Sequence, residues 1–309
     1  MIHVEDLVKR YHKAPRNAVD GVSFEVGAGE FFALLGPNGA GKTTTISILT
    51  TTLAPTSGRV TIDGHDIVAE ASAVRRGVGI IFQSPSLDVN LTGEENVRFH
   101  AVLYGLFRYA PAWILMDAAY RRQVEELSSL LGVQRDIFQP VRTYSGGTRR
   151  KLEIMRSLMH RPKVLFLDEP TAGLDVPTRR TLWAYLDGVR REMGTTVFLT
   201  THYLEEAEQA DRICIIESGR VISNGTPDEI KADLVEEYVL VDTRDRAGLK
   251  AELALWSLPY EGDGPFRLEL DGRGVHEILK AIDTPLSMVK THTPSLEDAY
   301  LEIVGQADE

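Results

Sequence analysis

The stretch "GPNGAGKTT", Gly36–Thr44, decides how this chain is read. It matches G-x-x-x-x-G-K-[ST], directly after the apolar run "FFALL" and directly before the helix-forming "KTTTISIL". The glycines let successive backbone N–H groups turn inward as an anion nest, and the helix N-terminus adds partial positive charge. Within it, Gly36, Pro37, Asn38, Gly39, Ala40 and Gly41 form the loop and Thr44 lies in the first helical turn. Lys42 supplies a mobile charge for β- and γ-phosphates, and Thr43 offers a hydroxyl to Mg²⁺. The bland alternative is a glycine turn.

"VLFLDEP", 164 to 170, argues against that alternative. Four apolar residues make a buried central strand, and Asp168 and Glu169 emerge at its carboxyl end, where α/β sheets place ligands. Asp168 is the candidate metal carboxylate and Glu169 the candidate general base for an attacking water. Gln83 follows "VGIIF" and His202 follows "TTVFLTT", at comparable strand ends. Gln83 suits the metal shell, and His202 suits the γ-phosphate or the water. Taken together these groups suit ATP cleavage, which needs oriented water, Mg²⁺ and fixed positive charge.

Strand candidates alternate with helical patterns, several apolar on both faces, which predicts an α/β domain with a largely parallel sheet. Residues 2 to 10 read as an edge strand, and "VSFEVGAGEFFALLG" as two strands around a turn. The first strands suggest an antiparallel side sheet. Residues 90 to 160 read as a helical subdomain, "TRRTLWAYLDGVRREMG" as a helix closed by Gly194, "YLEEAEQADR" as a helix and "RICIIESGRVISNG" as a hairpin. The expected ATP-binding domain spans 1–230. A small α+β accessory domain follows at 231–309, with strands in "EEYVLVDT", "FRLELDG" and "PLSMVKTHT".

Composition sets outer bounds. A length of 309 residues suits two unequal domains, and 43% hydrophobic with 26% charged residues suits a soluble globular protein. A net charge of -11 argues against a nucleic-acid partner. The single cysteine, Cys214, excludes an intrachain disulfide and reads as a small core residue. The N-terminus has no apolar h-region, so no signal peptide is expected, and no run is apolar enough to span a membrane. The aromatic stretch "VRFHAVLYGLFRYAPAWILMDAAY", 97 to 120, is either a docking surface or internal packing.

A second glycine-rich helix start, "YSGGTRRK", precedes "VLFLDEP". The order Tyr11, "GPNGAGKTT", Gln83, "YSGGTRRK", "VLFLDEP", "AGLD" and His202 resembles an ATP-binding cassette (ABC) transporter ATPase, with a match reaching about residue 230. The resemblance implies that Tyr11 stacks on adenine, that Gln83 opens a loop sensing Mg²⁺ and the membrane partner, and that His202 is the switch histidine. It further implies that Ala172, Gly173, Leu174 and Asp175 link two sites, and that Ser145, Gly146, Gly147 and Thr148 are the signature, closing on ATP held by a second copy of the chain. Thr148 stands where the family usually has Gln and reaches less far. With Ser145, both glycines and Glu169 intact, an active homodimer is expected.

"YSGGTRRKLEIMRSLMHRPKVLFLDEPTAGLD" and "HTPSLEDAYLEIVG" look most like the ABC-2-type exporters of drug-resistance, sodium-efflux and nodulation systems. That resemblance implies a separate integral membrane permease and a peripheral location on the cytoplasmic face of the membrane. The alternative is a soluble ABC-type ATPase acting as a clamp in translation or DNA repair. Such proteins usually carry two cassettes or a long coiled-coil insertion.

Overall fold

Phe31–Leu35 is buried along its whole length, as are Val164–Asp168 and Thr196–Thr201. Strands covered on both faces cannot alternate in polarity, so they appear in the sequence as short apolar runs. The computed structural model describes residues 1–83, 86–234, 238–270, 273–292 and 295–307. The expected strand residues Glu236, Glu237, Asp271, Gly272 and Thr293 lie outside the described residues.

Contacts divide the chain into two units, Met1–Thr226 and Pro227–Glu309. In chain order the first contains β1 (Ile2–Lys9), β2 (Val19–Val26), β3 (Phe31–Leu35), α1 (Lys42–Leu49), β4 (Ser57–Ile62), β5 (His65–Asp66), α2 (Ala71–Gly77) and β6 (Val78–Ile81). Then come α3 (Gly93–Leu103), α4 (Ala118–Leu130), α5 (Gly146–Leu158), β7 (Val164–Asp168), α6 (Val176–Met193), β8 (Thr196–Thr201), α7 (Leu204–Ala207), β9 (Arg212–Glu217) and β10 (Arg220–Gly225). The main sheet runs β10-β9-β3-β8-β7-β6, parallel except for β10, which is antiparallel to β9. The side sheet runs β2-β1-β4-β5 and is antiparallel.

The side sheet packs on the main one through aromatic rings. Phe24 stacks on Phe32 at 5.1 Å and Phe32 on Phe198 at 5.2 Å, and Phe198 meets Phe166 at 5.3 Å. Parallel pairing places β3, β8 and β7 side by side, so the residues that follow them converge at the carboxyl ends of the strands. Cys214 sits fully buried in this core, and burial pushes its thiol up to about 12.

Two expectations change. The strand at 2 to 10 is not an edge: β1 is paired on both sides, by β2 and β4, because partners from distant segments close over it. The helix expected over "YLEEAEQADR" is a single turn, α7, because the Gln209 and Ala210 N–H groups donate to carbonyls three residues back, those of Glu206 and Ala207, and close the segment as turns.

The aromatic stretch serves two ends. Tyr120 is buried, with Phe107 and Trp113 edge-on to it at 5.4 and 5.7 Å. Phe99, Leu103, Tyr104, Tyr109, Ile114 and Leu115 remain exposed. Among the described residues no helix is long and apolar enough to cross a membrane.

The second unit contains α8 (Pro227–Leu234), β11 (Tyr238–Thr243), α9 (Arg246–Leu255), β12 (Tyr260–Glu261), β13 (Phe266–Glu269), α10 (Val275–Lys280), β14 (Leu286–His292) and α11 (Leu296–Ala307). Its antiparallel sheet runs β12-β13-β11-β14 and encloses a separate core of Val239, Val241, Leu249, Leu253, Phe266 and Leu268.

Candidate functional site

The loop between β3 and α1 lies against backbone on two sides. A Cβ on Gly36 would sit 2.2 Å from the Ile216 carbonyl oxygen. One on Gly41, whose φ is +107°, would sit 2.5 Å from that of Ala18. Only glycine fits either place. Between them the backbone wraps Lys42, whose Nζ donates to the carbonyls of Gly36 at 2.6 Å and Pro37 at 3.0 Å. Burial lowers the Lys42 pKa, opposed by the charges of Glu169 and Asp168. Asn38 and Gly39 are exposed at the loop tip, Ala40 is buried beneath it, and the exposed Thr43 lies in the first turn of α1. Tyr11, half exposed, brings its hydroxyl within 3.3 Å of Thr44 Oγ1.

Asp168 ends β7 and is almost wholly buried, accepting a 2.5 Å hydrogen bond from Thr200 Oγ1 on β8. Burial raises its pKa; the neighbouring Glu169 adds to this, while Thr200, Lys42 and Arg150 oppose it. Glu169 has a φ of +43°, a left-handed conformation uncommon outside glycine. The kink turns its carboxylate from the direction set by the strand. Three sequence-predicted residues meet that carboxylate: Gln83 Nε2 at 3.1 Å, His202 Nδ1 at 3.2 Å and Lys42 Nζ at 3.8 Å. Groups far apart in sequence are therefore one cluster.

Ser145 caps α5, accepting from the Thr148 N–H at 3.1 Å, and the two hydroxyls are 2.9 Å apart. Gly147 lies where a Cβ would come 2.5 Å from Thr178 Cγ2, and one on Gly146 would contact Leu174. The segment Ala172, Gly173, Leu174, Asp175 runs into α6, which Asp175 caps through the Thr178 N–H at 2.8 Å. Gln83, Gly146, Glu169, Ala172 and Leu174 line one cleft, which places the α5 start beside the Glu169 cluster.

Sequence reasoning missed three groups here. Thr200 holds Asp168. Glu206, a buried carboxylate whose pKa burial raises, joins Thr171 to Thr201 and ties the segments after β7 and β8 together. Arg150, also buried, donates to three backbone carbonyls on two segments, that of Phe82 and those of Asp168 and Pro170. Arg and Glu inside an amphipathic helix usually mark solvent, and nothing in composition showed that these face inward.

A cluster of lysine, two carboxylates, glutamine and histidine at the mouth of a phosphate loop can hold a polyphosphate and polarise water. Comparison with known proteins agrees. The family model described as "ABC transporter" matches residues 19–172. The chain is 38% identical to the daunorubicin resistance ATP-binding protein DrrA3 of Streptomyces coeruleorubidus, across 98% of this chain and 96% of that one. It is 40% identical to the Nod factor export ATP-binding protein I of Ralstonia nicotianae, across 99% and 94%. The dimeric cassette MJ0796, solved in a post-hydrolysis state with ADP and Pi, superposes with a TM-score of 0.63 at 27% identity, over 73% of this chain and 98% of that one. The clamp alternative finds no support among these relatives. The chain thus belongs to the ATP-binding subunits of ABC transporters, is homologous to drug-resistance and nodulation-export ATPases, and binds and hydrolyses ATP in partnership with a membrane permease.

Proposed function

We propose that this chain powers an ABC-2-type exporter. A separate permease of that type holds it at the cytoplasmic face of the membrane, and two identical copies pack head to tail around two shared ATP sites. Similarity to proteins named for drug resistance and Nod factor export supports the direction of transport, and the dimeric cassette supports the pairing. The exposed side chains Phe99, Leu103, Tyr104 and Tyr109 are the surface offered to the permease.

In this reading Tyr11 stacks on adenine, while the N–H groups of Gly36–Thr44 and the Lys42 ammonium take the phosphates. Thr43, Gln83 and Asp168 present oxygen donors, the set that suits Mg²⁺. The second Asp168 carboxylate oxygen has no hydrogen-bond donor among the described residues, so it remains open to a cation. When bound, Mg²⁺ would neutralise charge on the phosphate oxygens. Glu169 takes the proton of the attacking water as its oxygen bonds to the γ-phosphorus and the bond to ADP breaks. His202 and Gln83 fix the Glu169 carboxylate. Ser145, Gly146, Gly147 and Thr148 of the second copy close over the γ-phosphate with the N-terminus of their helix, and Ala172–Asp175 connects the two sites.

The observation that carries this reading is the Glu169 carboxylate bracketed by Gln83, His202 and Lys42. Glu169→Gln should lower turnover about a hundredfold or more, while ATP still binds and drives the chain into dimers. Phosphate release and sedimentation measure the two effects. Normal turnover in a monomeric variant would overturn both the base and the shared site.

A further inference from the structure

Ser145 is the N-cap of α5 and Thr148 its third residue, and their hydroxyl oxygens lie 2.9 Å apart. A hydroxyl oxygen has one proton to give and two lone pairs. One lone pair of Ser145 takes the Thr148 N–H at 3.1 Å. Among the described residues neither hydroxyl has a partner outside this pair. A helical threonine commonly turns its hydroxyl to a backbone carbonyl three or four residues back, whereas Thr148 turns its own to the cap. Within one chain the direction of that contact is open, since either oxygen can donate.

The start of α6 repeats the arrangement with the direction fixed. Asp175 caps that helix through the Thr178 N–H at 2.8 Å. The Thr178 hydroxyl bonds the same carboxylate and, ahead of the N–H, holds the Asp175 pKa below its ordinary value. An ionised carboxylate only accepts, so there the third-residue threonine donates to its cap. A phosphate would impose the same direction on α5. Its oxygens offer no proton, so a Ser145 hydroxyl that meets one donates to it. The Thr148 hydroxyl then supplies its proton to the second Ser145 lone pair. With both lone pairs filled, the Ser145 O–H is held outward, and each bond of the chain polarises the next.

We infer that Thr148 is a positioning residue that donates to Ser145 and so aims the Ser145 hydroxyl at the nucleotide of the second copy. It acts on the phosphate through Ser145. The inference rests on the proposed contact between Ser145 and that nucleotide. It gives a part of its own to the threonine that stands where the family usually has glutamine.

Thr148→Val has the same shape and keeps the capping N–H, so in the full chain the thermal midpoint should not move. Steady-state turnover should fall about tenfold, the scale of one weakened hydrogen bond to a charged group. With Glu169→Gln added, ATP-dependent dimerisation followed by sedimentation should weaken by a similar factor. Binding of a fluorescent ATP derivative to the monomer should stay within about twofold, because the chain's own phosphate loop is untouched. Thr148→Ser restores the hydroxyl without the methyl and should recover turnover and dimerisation, while Thr148→Ala should behave as Thr148→Val does. In Ser145→Ala the Thr148→Val change should cost nothing further, because both act through one contact. Wild-type turnover and dimerisation in folded Thr148→Val and Thr148→Ala would overturn this role. So would a Thr148→Ser chain as impaired as those two, or losses that multiply in the Ser145→Ala background. Ser145→Ala alone separates the two ideas. Wild-type turnover there overturns the shared-site reading and the role of Thr148 with it, whereas its loss beside unimpaired Thr148 variants overturns the role of Thr148 alone.

Discussion

Ser145 has two claims on its hydroxyl. It caps α5 through the Thr148 N–H and lies 2.9 Å from the Thr148 hydroxyl, so the shorter side chain at 148 turns back onto the cap. Ser145→Ala removes both cap and hydroxyl and should cost about 1 kcal/mol of stability, whereas Ser145→Gly keeps most of the capping and costs a few tenths. If the hydroxyl also serves the second copy's nucleotide, both variants lose turnover alike despite unequal stability; denaturant unfolding and phosphate release together check this. At this scale the phosphate loop was the most legible feature, since Gly36 and Gly41 are dictated by carbonyls 2.2 and 2.5 Å from any added Cβ. Arg150 was the least legible. Its acceptors are backbone carbonyls, which every residue has and no sequence pattern marks.

Helix α3 meets the turn that follows α5 through histidines. His100 stacks near Tyr104 at 4.3 Å, Tyr104 lies on His160 at 5.0 Å, and the two imidazoles are 6.4 Å apart. Burial, then Arg156, then His160 lower the His100 pKa from 6.5 to about 4. Burial lowers that of His160 too, against its hydrogen bond to the Val78 carbonyl. A depressed folded value means that the unfolded chain binds a proton the native helices refuse. Stability from His100 is therefore present above pH 6.5 and is lost as pH falls towards about 4. His100→Gln should flatten the decline in denaturant midpoint between pH 7 and pH 5 measured for the parent chain. The helices themselves were readable from apolar spacing. The role of the aromatics was not, because Tyr120 and Tyr109 are the same letter with opposite burial. The β1 strand was misplaced for a related reason: its partners β2 and β4 are separate segments, and strand order is a property of the sheet.

Over the whole molecule, every residue assigned to ATP chemistry lies in Met1–Thr226, and each unit has its own hydrophobic core. A unit that buries its own apolar residues is equipped to fold without the other. The strands and helices of the second unit could be read from sequence, but its purpose could not, since its residues are spent on a core and a solvated surface and none forms a motif. A chain ending at Thr226 should therefore fold and bind ATP within about threefold of the full chain, a difference under about 1 kcal/mol. Carrying Glu169→Gln, it should still form ATP-dependent dimers, because the phosphate loop, the Ser145–Thr148 start of α5 and the Ala172–Asp175 segment all remain. Titration calorimetry and sedimentation of both lengths decide the matter. A shortened chain that binds ATP but no longer dimerises would assign the pairing to Pro227–Glu309, and one that binds no ATP would make the second unit part of the nucleotide site.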